Sequence, residues 1–176
     1  RSTLFPYTTL FRSPYRTGGL LLLEEQDRSL WDRERIRLGM EWLERSAAGD
    51  VFSRFHAEAG IAAEHCLAPS YQQTRWPEIA ALYDMLERIA PSPLHTLNRA
   101  VAVAEWQGPE AGLAVLDGLA PPTWLAGSYL WHAVLGDLHR RAGHSEIARR
   151  HREQALGLAP THAVRELLRR RLAALD

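Results

Sequence analysis

The feature that most constrains the fold is the way helix breakers punctuate the chain. Ser92-Pro93, Gly108-Pro109, Pro121-Pro122-Thr123, Gly143 and Pro160-Thr161 recur at helix-length intervals. Each pairs a residue that ends a helix with one that starts the next: Gly relieves the strain of a C-terminal turn, Pro tolerates a first helical position, and a short hydroxyl side chain caps free N–H groups. Between the breakers, apolar residues repeat at helical spacing, and no period-two alternation is sustained. Such a chain folds as many helices of modest length joined by tight turns, an all-α architecture of about eight helices. Asp27 and Ser29 compete to cap the first, with Ser29 and Asp32 forming a capping-box pattern. Trp31, Leu38 and Trp42 share its stripe, flanked by Ile36, Met40 and Leu43. The second spans Val51 to Leu67, and the third opens at Thr74 and Pro77 and ends near Ala90. The fourth runs from Pro93 to Gly108 and the fifth from Pro109 to Pro121. The sixth runs from Thr123 to about Ala142, the seventh spans Glu146 to Leu158, and Thr161 caps the eighth.

The N-terminal stretch does not fit this grammar. "LFPYTTLFRS", Leu4 to Ser13, holds two of the four Phe residues and no acidic residue or alanine. Pro6 and Arg12 break any apolar run of signal-peptide length. Back-translated, the stretch resembles a common short-read sequencing adapter read in frame. Residues 1–13 are therefore expected to be an artefactual, disordered leader joined to a gene that extends further upstream. Residues 14–25 read as an approach segment, and residues 26–176 as the helical domain.

The remaining composition narrows function. The 176 residues are 46% hydrophobic and 24% charged, with formal net charge zero, an ordinary profile for a globular protein. All 21 basic residues are Arg and the only Asn is Asn98, which points to a GC-rich bacterial coding sequence. Residues 14–132 carry ten Arg against sixteen acids, and residues 133–176 nine against five. That balance argues against a general nucleic-acid binder. The lone Cys66 permits no internal disulfide and suits a reducing cytoplasm. No apolar run approaches the roughly 20 residues that cross a bilayer.

Candidate chemistry is sparse. His56, Glu58, Glu64 and His65 lack the spacing that sets two imidazoles on one zinc. His132 and His139 share a face, but Gly136 between them supplies no ligand. Cys66 stands beside His65, yet adjacent helical residues diverge by about 100° and do not form a nucleophile–base pair. "TGG" lacks the spaced glycines and Lys of a phosphate loop. No enzyme activity, metal or cofactor is expected.

"LGDLHRRAGHSEIARRHREQALGLAP" resembles a tetratricopeptide repeat through Leu135-Gly136, Gly143, Ala148, Ala155 and Pro160. Small residues there let paired helices approach closely. His139 and Arg152 stand where that family has aromatics. Tyr83 and Pro91 fit part of a further repeat, and "NRAVAVAEWQGPEAGLAVL" a shortened one. The resemblance implies a right-handed helical-hairpin solenoid of about three helix pairs with capping helices, each pair burying its apolar face against its neighbours.

A more specific likeness lies in "LLEEQDRSLWDRERIRLGMEWLERS", "WPEIAALYDMLERIAPSPLHTLNRAVAVAEWQGPEAGLAVLDGL" and "GSYLWHAVLGDLHRRAGHSEIARRHREQALGLAP". Together these are similar to the tetratricopeptide-like C-terminal extension of a subgroup of extracytoplasmic-function sigma factors, over nearly all of residues 18–175. The resemblance implies a role in bacterial transcription initiation. Upstream domains, absent here, would bind RNA polymerase and read the promoter, while this tail controls them by docking on the sigma core or on a regulatory protein. The tail itself is expected to bind no promoter DNA specifically. The matching motifs make Gln26, Asp27, Arg28, Trp31, Asn98 and Arg99 the candidate contact residues. Asp27 as a cap, Trp31 as a core residue and Asn98–Arg99 as an internal polar tie remain open beside that role. The alternative is a stand-alone tetratricopeptide-like scaffold whose Arg residues read the carboxylates of a peptide.

Overall fold

The computed structural model describes residues 20–49 and 51–173, and the leader expected at residues 1–13 lies outside them. Among the described residues, two single 3-10 turns, Leu23–Glu25 and Arg28–Leu30, precede nine α-helices. These are α1 (Arg33–Ala47), α2 (Arg54–Leu67), α3 (Trp76–Ile89), α4 (Pro93–Gln107), α5 (Pro109–Leu116), α6 (Thr123–Ala126), α7 (Tyr129–Arg141), α8 (Ser145–Gly157) and α9 (His162–Arg171). No strand occurs among the described residues, and the fold is all-α as the punctuation predicts.

The caps act where the sequence puts them, with two corrections. Ser92 accepts a hydrogen bond from the Leu94 N–H, and Thr161 from the Val164 N–H. Neither Asp27 nor Ser29 caps the first helix. Asp27 accepts from the Ser29 N–H and closes a 3-10 turn, and Asp32, five residues on, caps α1 by accepting from the Arg35 N–H at 3.0 Å. Trp31 between them is extended, which separates turn from helix. The single helix expected from Thr123 to Ala142 is two. Ser128 is extended and its hydroxyl accepts from the Leu130 N–H, a cap that ends the short α6 at Gly127 and starts α7.

Helices pack chiefly on their neighbours in the chain: α2 on α3, α3 on α4, α4 on α5, α7 on α8, with α5 also meeting α7. This order is compatible with a helical-hairpin solenoid. The core is correspondingly a series of clusters. Ala57, Ile61, Ile79, Tyr83, Leu86 and Ala102 join α2, α3 and α4. Leu97, Ala104, Leu116, Leu125, Trp131 and Leu138 join α4 through α7. Ala155, Ala159, Leu168 and Leu172 close the C-terminal end. The α4–α5 turn depends on Gly108, whose φ of 98° few residues with a side chain adopt. One turn later Gly112 permits close approach, since a Cβ there would lie 2.6 Å from Ala104 Cβ.

α1 is the exception to this burial. It has no buried residue, and Leu38 and Trp42 stand 41% and 67% exposed. Trp31, expected on the same stripe, is instead 5% exposed and lies in the segment before the helix.

Candidate functional site

The segment Leu20–Trp31 is a strap tied to both ends of the helical array. Its two tight turns let a short length of chain present two adjacent carboxylates and one arginine to the helices. At the first end Glu24 pairs with Arg171 at 2.9 Å and Glu25 with Arg170 at 3.1 Å, while Arg170 also donates to the Leu20 carbonyl. At the other end Arg28 is buried, 7% exposed. Its Nη1 donates to the carbonyls of His65 (2.9 Å) and Ala68 (2.6 Å), and its Nη2 to Thr74 Oγ1 (3.4 Å). Those carbonyls lie at the C-terminal end of α2, where backbone acceptors lack helical partners and the dipole is negative. A planar guanidinium satisfies two of them at once. It also stands 5.0 Å from the centroid of the Trp31 ring. Residues 20–25, within the approach segment read from the sequence, lie against the helices through these ties.

Of the six candidate contact residues, Arg28 and Trp31 are inside the molecule, and Arg28 ties the strap to α2. Asp27 is exposed and closes a turn, and Gln26 is half-buried on the strap. Asn98 and Arg99, adjacent on α4, diverge. Arg99 donates to Glu87 at 2.9 Å and ties α4 to α3, whereas Asn98 faces a cavity on the inner side of the array. The structure therefore brings Arg28 and Trp31 together and leaves Asn98 apart from both.

Beside the strap runs a charge network whose members are scattered along the sequence. Asp137, 6% exposed, accepts from Arg140 at 2.9 Å and Arg171 at 3.1 Å, and Arg141 bridges to Glu105 at 2.5 Å and to the Ala104 carbonyl at 3.0 Å. Burial works against the Arg171 charge, but Asp137, Tyr71, Glu24 and Glu105 outweigh it and hold its pKa above the ordinary value. The tandem Arg pairs at 140–141 and 170–171 are the visible sequence signal for this network. Their acidic partners come from three different elements, α4, α7 and the Leu23–Glu25 turn, which no local pattern reveals.

The histidines and the cysteine carry no reactive pair. Burial, followed by the Arg28 charge, pushes His65 down to about 4, and burial pushes the Cys66 thiol up to about 11 against a weaker pull from Arg28. Both side chains are neutral near pH 7. His132 meets His151 with Nδ1 atoms 2.9 Å apart, and His139 meets His144 at 3.1 Å. The α8 partner His151 was not evident from the spacing on α7. Burial and then its neighbours His132 and His139 lower it to about 4. Among the described residues, no group of three or more His, Cys, Asp or Glu side chains is arranged to hold a metal ion. No described helix is long and apolar enough to cross a membrane.

No family model matches the sequence, and no solved structure matches it. An uncharacterized protein of Rhizobium meliloti (strain 1021) is 39% identical over 142 residues, which are 81% of this chain and 33% of that protein. The chain thus matches about a third of the relative's length.

Proposed function

We propose that this chain is the regulatory helical extension of an extracytoplasmic-function-type sigma factor, acting in the cytoplasm by docking on the sigma core and through it on RNA polymerase. The observation that carries the reading is α1. It is a helix of 15 residues with no buried side chain, yet it presents Leu38 and Trp42 to solvent. α1 packs on α2 through its other side, whereas helices of this length usually persist by burying their whole apolar face. Exposed large apolar groups in such a position mark an interaction surface. In this reading α1 lies against the promoter- and polymerase-binding domains of the intact protein.

The long resemblance over residues 18–175 supplies the identity of those domains. The relative supports a multi-part protein as well, because two-thirds of it lies beyond the shared stretch. The strap gives regulation a mechanical basis: two ion pairs, the Arg170–Leu20 bond and the buried Arg28 hold the approach to the helices, so docking at α1 orients whatever is attached to the strap. The stand-alone scaffold reading has less support, because the strap already covers part of the inner face that a peptide would use.

Hydrogen exchange tests the docking. In the intact protein, amides of α1 should exchange at least tenfold more slowly than in the separate chain. Equal exchange in both would remove the docking role of α1.

A further inference from the structure

Under the strap lies a partly enclosed cavity of about 170 Å³. Its walls come from Trp76 and Ile79 of α3, Val101 of α4, and Ala133, Val134 and Leu138 of α7, with Leu22 and Leu23 of the strap over it. Close packing normally leaves few voids of this size. Apolar cavities of about 150 Å³ stay dry and take up molecules the size of benzene.

Two further features define what would fit. The Asn98 side chain lines the cavity, and its amide, both donor and acceptor, stands in a largely apolar wall beside the rings of His65, Tyr71 and Tyr83. A ligand that hydrogen-bonds this amide inside a cavity that excludes water keeps the full worth of that bond. The charged groups at the rim are already matched: Arg141 pairs with Glu105, and Arg171 with Asp137 and Glu24. An ionised ligand would meet no uncompensated charge there.

We infer that the cavity is a binding site for a neutral, single-ring apolar molecule carrying one hydrogen-bonding group, held by Asn98 and covered by Leu22 and Leu23. The inference stands on the cavity and does not require the transcription reading. Because the strap forms the roof, occupancy adds contacts to Leu22 and Leu23 and tightens the strap on the helices. A small molecule in this site thereby changes how firmly the N-terminal approach is held.

Phenol and benzene serve as probes, observed through methyl-selective NMR of the chain. Phenol should shift the methyls of Val101, Val134, Leu138 and Leu22 in a saturable manner. Benzene, lacking the hydroxyl, should bind about tenfold more weakly, the worth of one hydrogen bond. Asn98→Leu should abolish that preference, and Ala133→Phe, which fills the cavity, should abolish binding of both. Absence of saturable shifts at millimolar phenol, or undiminished binding to folded Ala133→Phe, would overturn the site. Equal affinity for phenol and benzene would overturn the ligand class. If Ala133→Phe does not fold, the methyl map of the unaltered chain decides alone.

Discussion

Replacing Arg28 by Ala removes the tie between the strap and α2, and the structure sets the size of the effect. Two charge-assisted bonds to the His65 and Ala68 carbonyls disappear, with a longer one to Thr74. Hydrogen bonds to a charged group contribute about 1.5–3 kcal/mol each, and stranded carbonyls in a buried site keep their desolvation cost. The guanidinium–Trp31 contact adds about 0.5–2 kcal/mol. Relief of the burial cost of the charge, seen in the lowered Arg28 pKa, offsets part of this. A net loss of about 3 kcal/mol follows, a Tm decrease of roughly 6–12 °C for a chain of this size. Arg28→Lys should recover less than half, because a point charge cannot serve two carbonyls with fork geometry. Circular dichroism melts at 222 nm measure both variants. A Tm decrease below 2 °C for Arg28→Ala, with transcription by the intact protein altered, would refute the internal tie and restore Arg28 as an external contact.

Gly112→Ala should destabilise the chain by about 1–3 kcal/mol through overpacking, because its Cβ would sit 2.6 Å from Ala104 Cβ and 2.7 Å from the Ala100 carbonyl; urea titration checks this. Stability should fall as pH drops from 6.5 towards 4, because His65 and His151 titrate near 4 when folded and at the ordinary 6.5 when unfolded. In that window the unfolded chain binds protons that the folded chain refuses. Urea midpoints unchanged between pH 6.5 and 5 would contradict this. Exchanging the charges of one tie, by Glu25→Arg with Arg170→Glu, should restore part of the strap protection in hydrogen exchange relative to Glu25→Arg alone.

The helices were legible because their signals are local. Ser92-Pro93, Gly108-Pro109 and Thr161 carry caps and breaks within a few residues, and each acts where the pattern predicts. Ser128 was missed because the apolar spacing continues through it, and only the backbone shows the hydroxyl acting as a cap. Trp31 and Trp42 share a helical stripe on paper, but Asp32 starts the helix after Trp31 and sends the two rings to different environments. The site was harder to read. Gln26, Asp27, Arg28 and Trp31 stood out as a motif, yet what Arg28 touches lies 37 and 40 residues away. The strap's other ties, to Arg170 and Arg171, span about 150 positions in sequence, beyond any periodic pattern. The cavity has no local signature, since its walls are apolar positions that pattern reading assigns to a filled core.

The measurement closest to the central claim is in vitro transcription by core RNA polymerase supplied with the intact protein, compared with its Leu38→Ser/Trp42→Ser variant. Each of these side chains is worth about 1.5–3 kcal/mol when fully buried at an interface, enough to shift docking more than tenfold. Both are exposed in the separate chain, so its Tm should move by less than 2 °C. Promoter-specific transcripts are expected from the intact protein, with a several-fold change in their yield for the variant. No promoter-specific transcript, or a yield unaffected by the double substitution, would contradict that claim.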